Sequence, residues 1–103
     1  MPVTAHIRYV IDPLKVDDFE RYGRRWIDLV TRFGGHHHGY FLPSEGANNI
    51  AYALFTFPSL AEYEKYRRDA ESDSACIDAY QDAVDSGCIV SYERTFLRPV
   101  LEA

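Results

Sequence analysis

The sequence predicts an α+β domain in which helices cover one face of a four-stranded antiparallel sheet. Three observations carry this. Segments near both ends alternate with a period of two, as strands do. A long segment between them repeats aromatic and aliphatic residues at three- and four-residue steps, as an amphipathic helix does. Gly34-Gly35 then stops that helix and leads directly into His36-His37-His38-Gly39-Tyr40-Phe41-Leu42, which holds three of the four histidines.

The first strand runs from Val3 to Ile11, with Val3, Ala5, Ile7, Tyr9 and Ile11 on one face and Thr4, His6, Arg8 and Val10 on the other. Asp12-Pro13 ends it, because proline cannot extend a ladder and restricts the residue before it. A helix follows from about Val16 to Phe33 with Phe19, Tyr22, Trp26, Leu29, Val30 and Phe33 in one stripe. Acidic residues crowd its start and arginines its later turns, an order that suits the helix dipole. Glycine at the C′ position closes it without steric cost.

His36 to Leu42 reads as the second strand and Ile50 to Phe57 as the third, joined by a turn rich in Pro, Ser, Gly and Asn. The third strand is apolar on both faces, which predicts a central place in the sheet. Ser59 and Glu62 have capping-box spacing at the start of a second helix, whose inner face is read as Leu60, Tyr63, Arg67 and Ala70. A shorter third helix spans about Ala75 to Asp85, with Cys76, Ile77, Tyr80, Ala83 and Val84 inward and Gly87 closing it. Cys88 to Leu97 is the last strand, and the apolar tail from Arg98 to Leu101 is expected to dock.

One domain over residues 1–103 with one core accommodates all of this. Net charge is -5 and there is no basic run, which argues against nucleic acid as a partner. No segment is apolar and long enough to span a bilayer and no leader is evident, so the expected location is cytoplasmic. Cys76 and Cys88 are too few for a CxxC-type metal site and read as reduced packing residues. Aromatic residues at 15% exceed what so small a core hides, so some should meet a ligand or a partner chain.

The order βαββαβ is the split pattern of a ferredoxin-like fold. Helices cover one face of such a sheet, and the other face here is too apolar for water. A homodimer packed sheet to sheet would bury it and enclose a partly polar cavity.

Gly34-Gly35-His36-His37-His38-Gly39-Tyr40-Phe41-Leu42-Pro43 also resembles the G-G-x-H-H-G-Y-F-L-P element of bacterial NIPSNAP-type proteins. Tyr92-Glu93-Arg94-Thr95-Phe96-Leu97-Arg98-Pro99 resembles their Y-E-R-x-F-L-R-P ending, and Phe19-Glu20-Arg21-Tyr22 with Trp26 fits as well. The resemblance implies a dimeric α/β barrel, in a superfamily that also houses cofactor-independent monooxygenases, haem-degrading enzymes and small isomerases. It implies no reaction and transfers no catalytic residue set. His37, His38 and Gly39 match the family element, while His36 stands at its variable position.

Strand alternation puts His36 and His38 on one face and His37 on the other. They read either as structural groups satisfied by backbone or tyrosine hydroxyls, or as acid/base groups lining the cavity. A metal held by His36 and His38 would need further ligands, and neither a metal nor a cofactor is expected. His6 and Arg8 share the face assigned to the cavity, Arg8 suited to an anion or carbonyl and His6 to carrying a proton. Tyr52 should lie beside them. The catalytic candidates are therefore His38, His37 and His6, and the ligand-binding candidates Arg8, His6, His37, His38 and Tyr52.

Two functions of different class stay open. One is a protein that binds a small apolar or aromatic ligand in the barrel cavity and transforms it without a cofactor. The other is a non-catalytic interaction module using the outer helices, with exposed Tyr63, Tyr66 and Tyr80 as contact residues. Ser-His-Asp, phosphate-loop and dinucleotide signatures are absent from the sequence, which argues against those chemistries.

Overall fold

The computed structural model describes residues 1–100. They form β1 (Val3–Ile11), α1 (Val16–Arg32), β2 (His36–Phe41), β3 (Ile50–Phe57), α2 (Leu60–Ala70), α3 (Ser74–Ser86) and β4 (Ile89–Leu97). The strands make one antiparallel sheet in the order β2-β3-β1-β4, so β3 is central as its two apolar faces predict. All three helices lie on one face, and the element order is ferredoxin-like.

The core sits between that face and the helices. β1 contributes Ala5, Ile7, Tyr9 and Ile11 and β3 contributes Ala51, Ala53, Phe55 and Phe57. From α1 come Phe19, Tyr22, Trp26, Leu29 and Val30. Burying each such large side chain contributes roughly 1.5–3 kcal/mol. Helix α1 ends where the glycine pair requires. Gly34 takes φ +94°, a left-handed conformation, and Gly35 lies so close to Val30 and Phe57 that a Cβ there would come within 2.7 Å of the former and 2.8 Å of the latter.

Helix α2 begins at the predicted cap, where Ser59 Oγ accepts the Glu62 amide at 3.1 Å. Its inner face differs from the sequence expectation. Tyr63, Tyr66 and Ala70 are buried, while Leu60 is half exposed. Tyr63 and Tyr66 are therefore core residues packed on Phe55 and Phe57, not exposed contact residues. Only Tyr80 of that expected trio reaches the surface, at 41% exposure.

Helix α3 also differs. Cys76 and Ala79 are its buried residues, and Ile77 and Val84 face outward. Small side chains let α3 approach α1 closely, which turns its larger residues toward the helix edges. Gly87 closes it at φ +67° as expected. Val100, in the tail expected to dock, is exposed, and Leu101 lies outside the described residues.

One irregularity governs what β2 presents. Between His37 and Gly39 the pairing with β3 slips: His37 is opposite Phe55, yet Gly39 is opposite Leu54. His38 is the extra residue of this β-bulge, and Gly39 adopts φ +121° beside it. Beyond the bulge the faces exchange. Tyr40 pairs with Ala53 and enters the core, while Phe41 pairs with Tyr52 and is exposed.

Candidate functional site

The structure separates the chemistry-bearing side chains into two places, one on each face of the sheet. The open face carries His6, Arg8, His38 and Tyr52. Strand β1 turns Thr4, His6, Arg8 and Val10 outward because its odd-numbered residues are held in the core. Arg8 stands opposite Tyr52 on β3 and opposite Glu93 on β4. Among the described residues Arg8 forms no ion pair, with Glu93 or any other carboxylate. His6 packs on Tyr52 with ring centroids 5.3 Å apart.

The bulge draws His36 and His38 together, with ring centroids 4.7 Å apart, nearer than regular same-face neighbours of a strand. His38 Nε2 meets Thr56 Oγ1 at 2.7 Å, and Thr56 Oγ1 meets Thr4 Oγ1 at 2.7 Å. A hydrogen-bonded row thus crosses β2, β3 and β1. Burial, then His36, lowers the His38 pKa. Among the described residues no three His, Cys, Asp or Glu side chains are grouped to hold a metal ion.

His37 is not with these residues. It faces the helices, stacked between Tyr40 at 5.0 Å and Phe55 at 5.4 Å. Its Nδ1 accepts the Gly39 amide at 2.9 Å, and its Nε2 is buried without a partner among the described residues. Burial, with His38 and His36 adding like charge, lowers its pKa to about 4, so the ring is neutral at pH 7.

The second place is a cleft on the helix side, between α3 and β4, of about 390 Å³. Tyr9 and Tyr22 form its inner wall, Tyr80, Ala83 and Val84 one side, and Tyr92 and Arg94 the other. No histidine lines it. Each residue is there for a local reason. β4 follows β1 in register, which sets Tyr92 opposite Tyr9 and Arg94 opposite Ile7 on the helix side. The Arg94 guanidinium lies over the Tyr92 ring, 5.6 Å from its centroid. Helix α3 does not cover this end of β4, so Val84 and Tyr92 remain exposed at the rim.

Below the cleft is a recess of about 20 Å³, also bordered by Tyr9, Tyr22, Tyr80 and Arg94 and in addition by Trp26 and Arg67. Trp26 Nε1 and Arg94 Nε are buried and have no hydrogen-bond partner among the described residues. Burial pushes the Tyr9 phenol up to about 12, against the pull of the Tyr40 and Tyr22 phenols and Arg94. Burial likewise raises Tyr80, against the pull of Arg67 and Arg94. At neutral pH the cleft therefore offers protonated phenols and the Arg94 guanidinium within apolar walls, with the Arg67 guanidinium at the recess below. Such a surface can hold a flat apolar molecule and donate hydrogen bonds to its oxygens.

Sequence reasoning missed this set. Tyr92 and Arg94 do share one face in the alternation of the last strand, and both belong to the Y-E-R-x-F-L-R-P ending. The signal was available, but the polar candidates were sought on the face that carries His6 and Arg8.

Comparisons with known proteins give the following. A model of the NIPSNAP family matches residues 5–101. No curated protein matches the chain. Among solved structures, a NIPSNAP family protein from Agrobacterium tumefaciens is 20% identical with a TM-score of 0.80, covering 97% of this chain and 94% of its own. A NIPSNAP-like domain protein from Burkholderia xenovorans is 17% identical with a TM-score of 0.80, covering 96% of this chain and 85% of its own. A protein from Nitrosomonas europaea, provisionally described as an antibiotic biosynthesis monooxygenase, is 9% identical with a TM-score of 0.72, covering 98% of this chain and 100% of its own. At these identities the likeness to solved structures is one of fold. Among the described residues no helix is long and apolar enough to cross a membrane.

Proposed function

The chain belongs to the NIPSNAP family, and on that premise we propose that it binds a small apolar or aromatic molecule in the cleft between α3 and β4. The observation that carries this reading is the cleft itself: a concavity of ligand size, about 390 Å³, with aromatic walls and Arg94 projecting into it. Membership of the family supplies no reaction, so binding is the activity proposed. The test uses N-phenyl-1-naphthylamine, a neutral fluorescent probe. Val84 is 72% exposed at the rim, so Val84→Trp should fill the cleft without disturbing the core. The wild-type chain should bind the probe and the variant should not, at unchanged far-ultraviolet circular dichroism. Equal binding by both would place the ligand elsewhere.

The open face supports a second element of the proposal, assembly with a second copy of the chain. Phe41, Tyr52 and Leu97 are exposed there and Val10, Ile50 and Leu54 are half-buried, with nothing among the described residues to cover them. In such a homodimer His6, Arg8, His38 and Tyr52 would lie at or beside the interface. Their convergence on one face favours a second site there, for an anion or carbonyl at Arg8 with the imidazoles as proton carriers. Native mass spectrometry should find a dimer, and Leu54→Arg should make it a monomer. A wild-type monomer would remove both the dimer and this second site. The interaction-module reading has less support, because Tyr63 and Tyr66 are core residues.

A further inference from the structure

We infer that the ligand of the cleft carries an acidic oxygen group, and that one of its oxygens enters the recess to accept hydrogen bonds from Trp26 Nε1 and Arg94 Nε. This deepens the cleft-binding reading and rests on it. The class is an aromatic or alicyclic carboxylate, or a compound that presents an enolate or phenolate oxygen in the same way.

The inference starts from two donors that lack acceptors. Trp26 is 3% exposed, and its Nε1, like the Nε of half-buried Arg94, is buried with no hydrogen-bond partner among the described residues. An indole N–H and a guanidinium N–H can only donate. Leaving such a group buried and unpaired costs on the order of 1–3 kcal/mol, more for a charged one. Both residues border the recess, and Arg94 also lines the cleft above it. The recess of about 20 Å³ has room for one water molecule or one ligand oxygen and little else.

Charge decides between a neutral and an anionic ligand. Arg67 and Arg94 both border the recess, and neither forms an ion pair among the described residues. Arg21, Arg24, Arg25 and Arg32 at the surface each meet an aspartate or glutamate, whereas Arg8, on the open face, and exposed Arg68 need none; Arg67 and Arg94 differ from these in bordering a buried recess. Two cations therefore converge on one small space without a carboxylate, in a chain of net charge -5. In that low-dielectric setting a ligand anion gains more than it would at the surface. Size fixes the rest of the molecule, since the cleft suits one or two fused rings lying against Tyr80 and Tyr92.

The test compares 2-naphthoate with its neutral methyl ester and with the cation 2-naphthylmethylammonium. The chain has one tryptophan, so its indole N–H gives a single, self-assigning peak in a nitrogen–proton correlation spectrum. The acid should bind about tenfold or more tighter than the ester, the cation most weakly, and the acid alone should move the indole peak strongly. Arg94→Gln should remove the preference for the acid while retaining the ester. Arg94→Lys, which keeps the charge but lacks Nε, should keep part of it. If the ester binds in the cleft as tightly as the acid, or the indole peak moves equally with both, the acidic-oxygen inference is overturned while the cleft reading stands. If none of the three binds, both are overturned.

Discussion

Replacing His37 with phenylalanine should make the fold less sensitive to acid. The ring lies between Tyr40 and Phe55, and phenylalanine can occupy the same stack. In the folded chain burial, then His38 and His36, hold the His37 pKa at about 4, below its ordinary 6.5. As pH falls, the unfolded chain therefore takes up its proton first. The contribution of neutral His37 is fully present above pH 6.5 and is lost progressively as pH falls toward 4. The full difference corresponds to about 3 kcal/mol, which solvent screening of a partly exposed ring reduces to about 2 kcal/mol. By pH 5 roughly 1 kcal/mol of that should be gone.

The assay is urea unfolding at pH 7 and pH 5. The wild-type midpoint should fall by about 0.5–1 M more than the variant midpoint over that interval. The variant also loses the hydrogen bond from the Gly39 amide to Nδ1, but that loss is the same at both pH values and cancels. The remaining ionisable groups are common to both proteins, so comparing the two isolates His37. Equal acid sensitivity would refute the reasoning, as would a folded-state His37 pKa at or above 6.5 in an NMR titration.

Two further outcomes follow from contacts described above. Gly23 lies in α1 with the Tyr40 ring flat against it, and a Cβ there would come within 2.8 Å of Tyr40 Cγ. Gly23→Ala gains about 1 kcal/mol of helix propensity but overpacks by about 1–3 kcal/mol, so Tm should fall by several degrees; a rise would mean that Tyr40 has room to retreat. Thr56→Val removes both hydrogen bonds of the open-face row and leaves the buried Thr4 hydroxyl unpaired. It should cost about 1–2 kcal/mol in urea unfolding, and no change would show the row to be energetically idle.

The fold was legible where local pattern and tertiary need agreed. Period-two alternation in β1 and β3, the stripe of α1, and the stops at Gly34 and Gly87 all express backbone geometry that neighbours in sequence set. Reading failed where the environment came from elsewhere in the chain. Leu60 and Tyr66 are both apolar enough for an inner face, and only the position of Phe57 decides for Tyr66. Cys76 is buried as the pattern predicts, but packing of α3 on α1 selects Ala79 beside it and leaves Ile77 and Val84 outward. Grouping His6, Arg8, His38 and Tyr52 followed from alternation and register. Adding His37 to them contradicted that same alternation. The cleft escaped notice because a concavity depends on where α3 stops covering β4, which no local pattern records.

The single extra residue in β2 gives the histidine tract a meaning that does not reside in its chemistry. It acts as a parity step: everything after it is read with odd and even exchanged. The bulge, with the positive φ of Gly39 beside it, therefore matters independently of the imidazoles it carries. Were the bulge flattened into regular pairing with all its residues kept, Phe41 would turn inward and Tyr40 out, withdrawing the phenol that lies beside Tyr9 and Tyr22 behind the cleft; deleting His38 instead would keep Tyr40 inward, because His37, Gly39 and Tyr40 would then alternate regularly. A related chain that lacks the extra residue would reach the same interior without a bulge, whereas one of equal length that cannot form the bulge would present a different interior from an almost unchanged sequence. Among relatives of this length, a glycine at the place of Gly39, which takes the positive φ of the bulge, is thus a better guide to a shared cleft than the number of histidines.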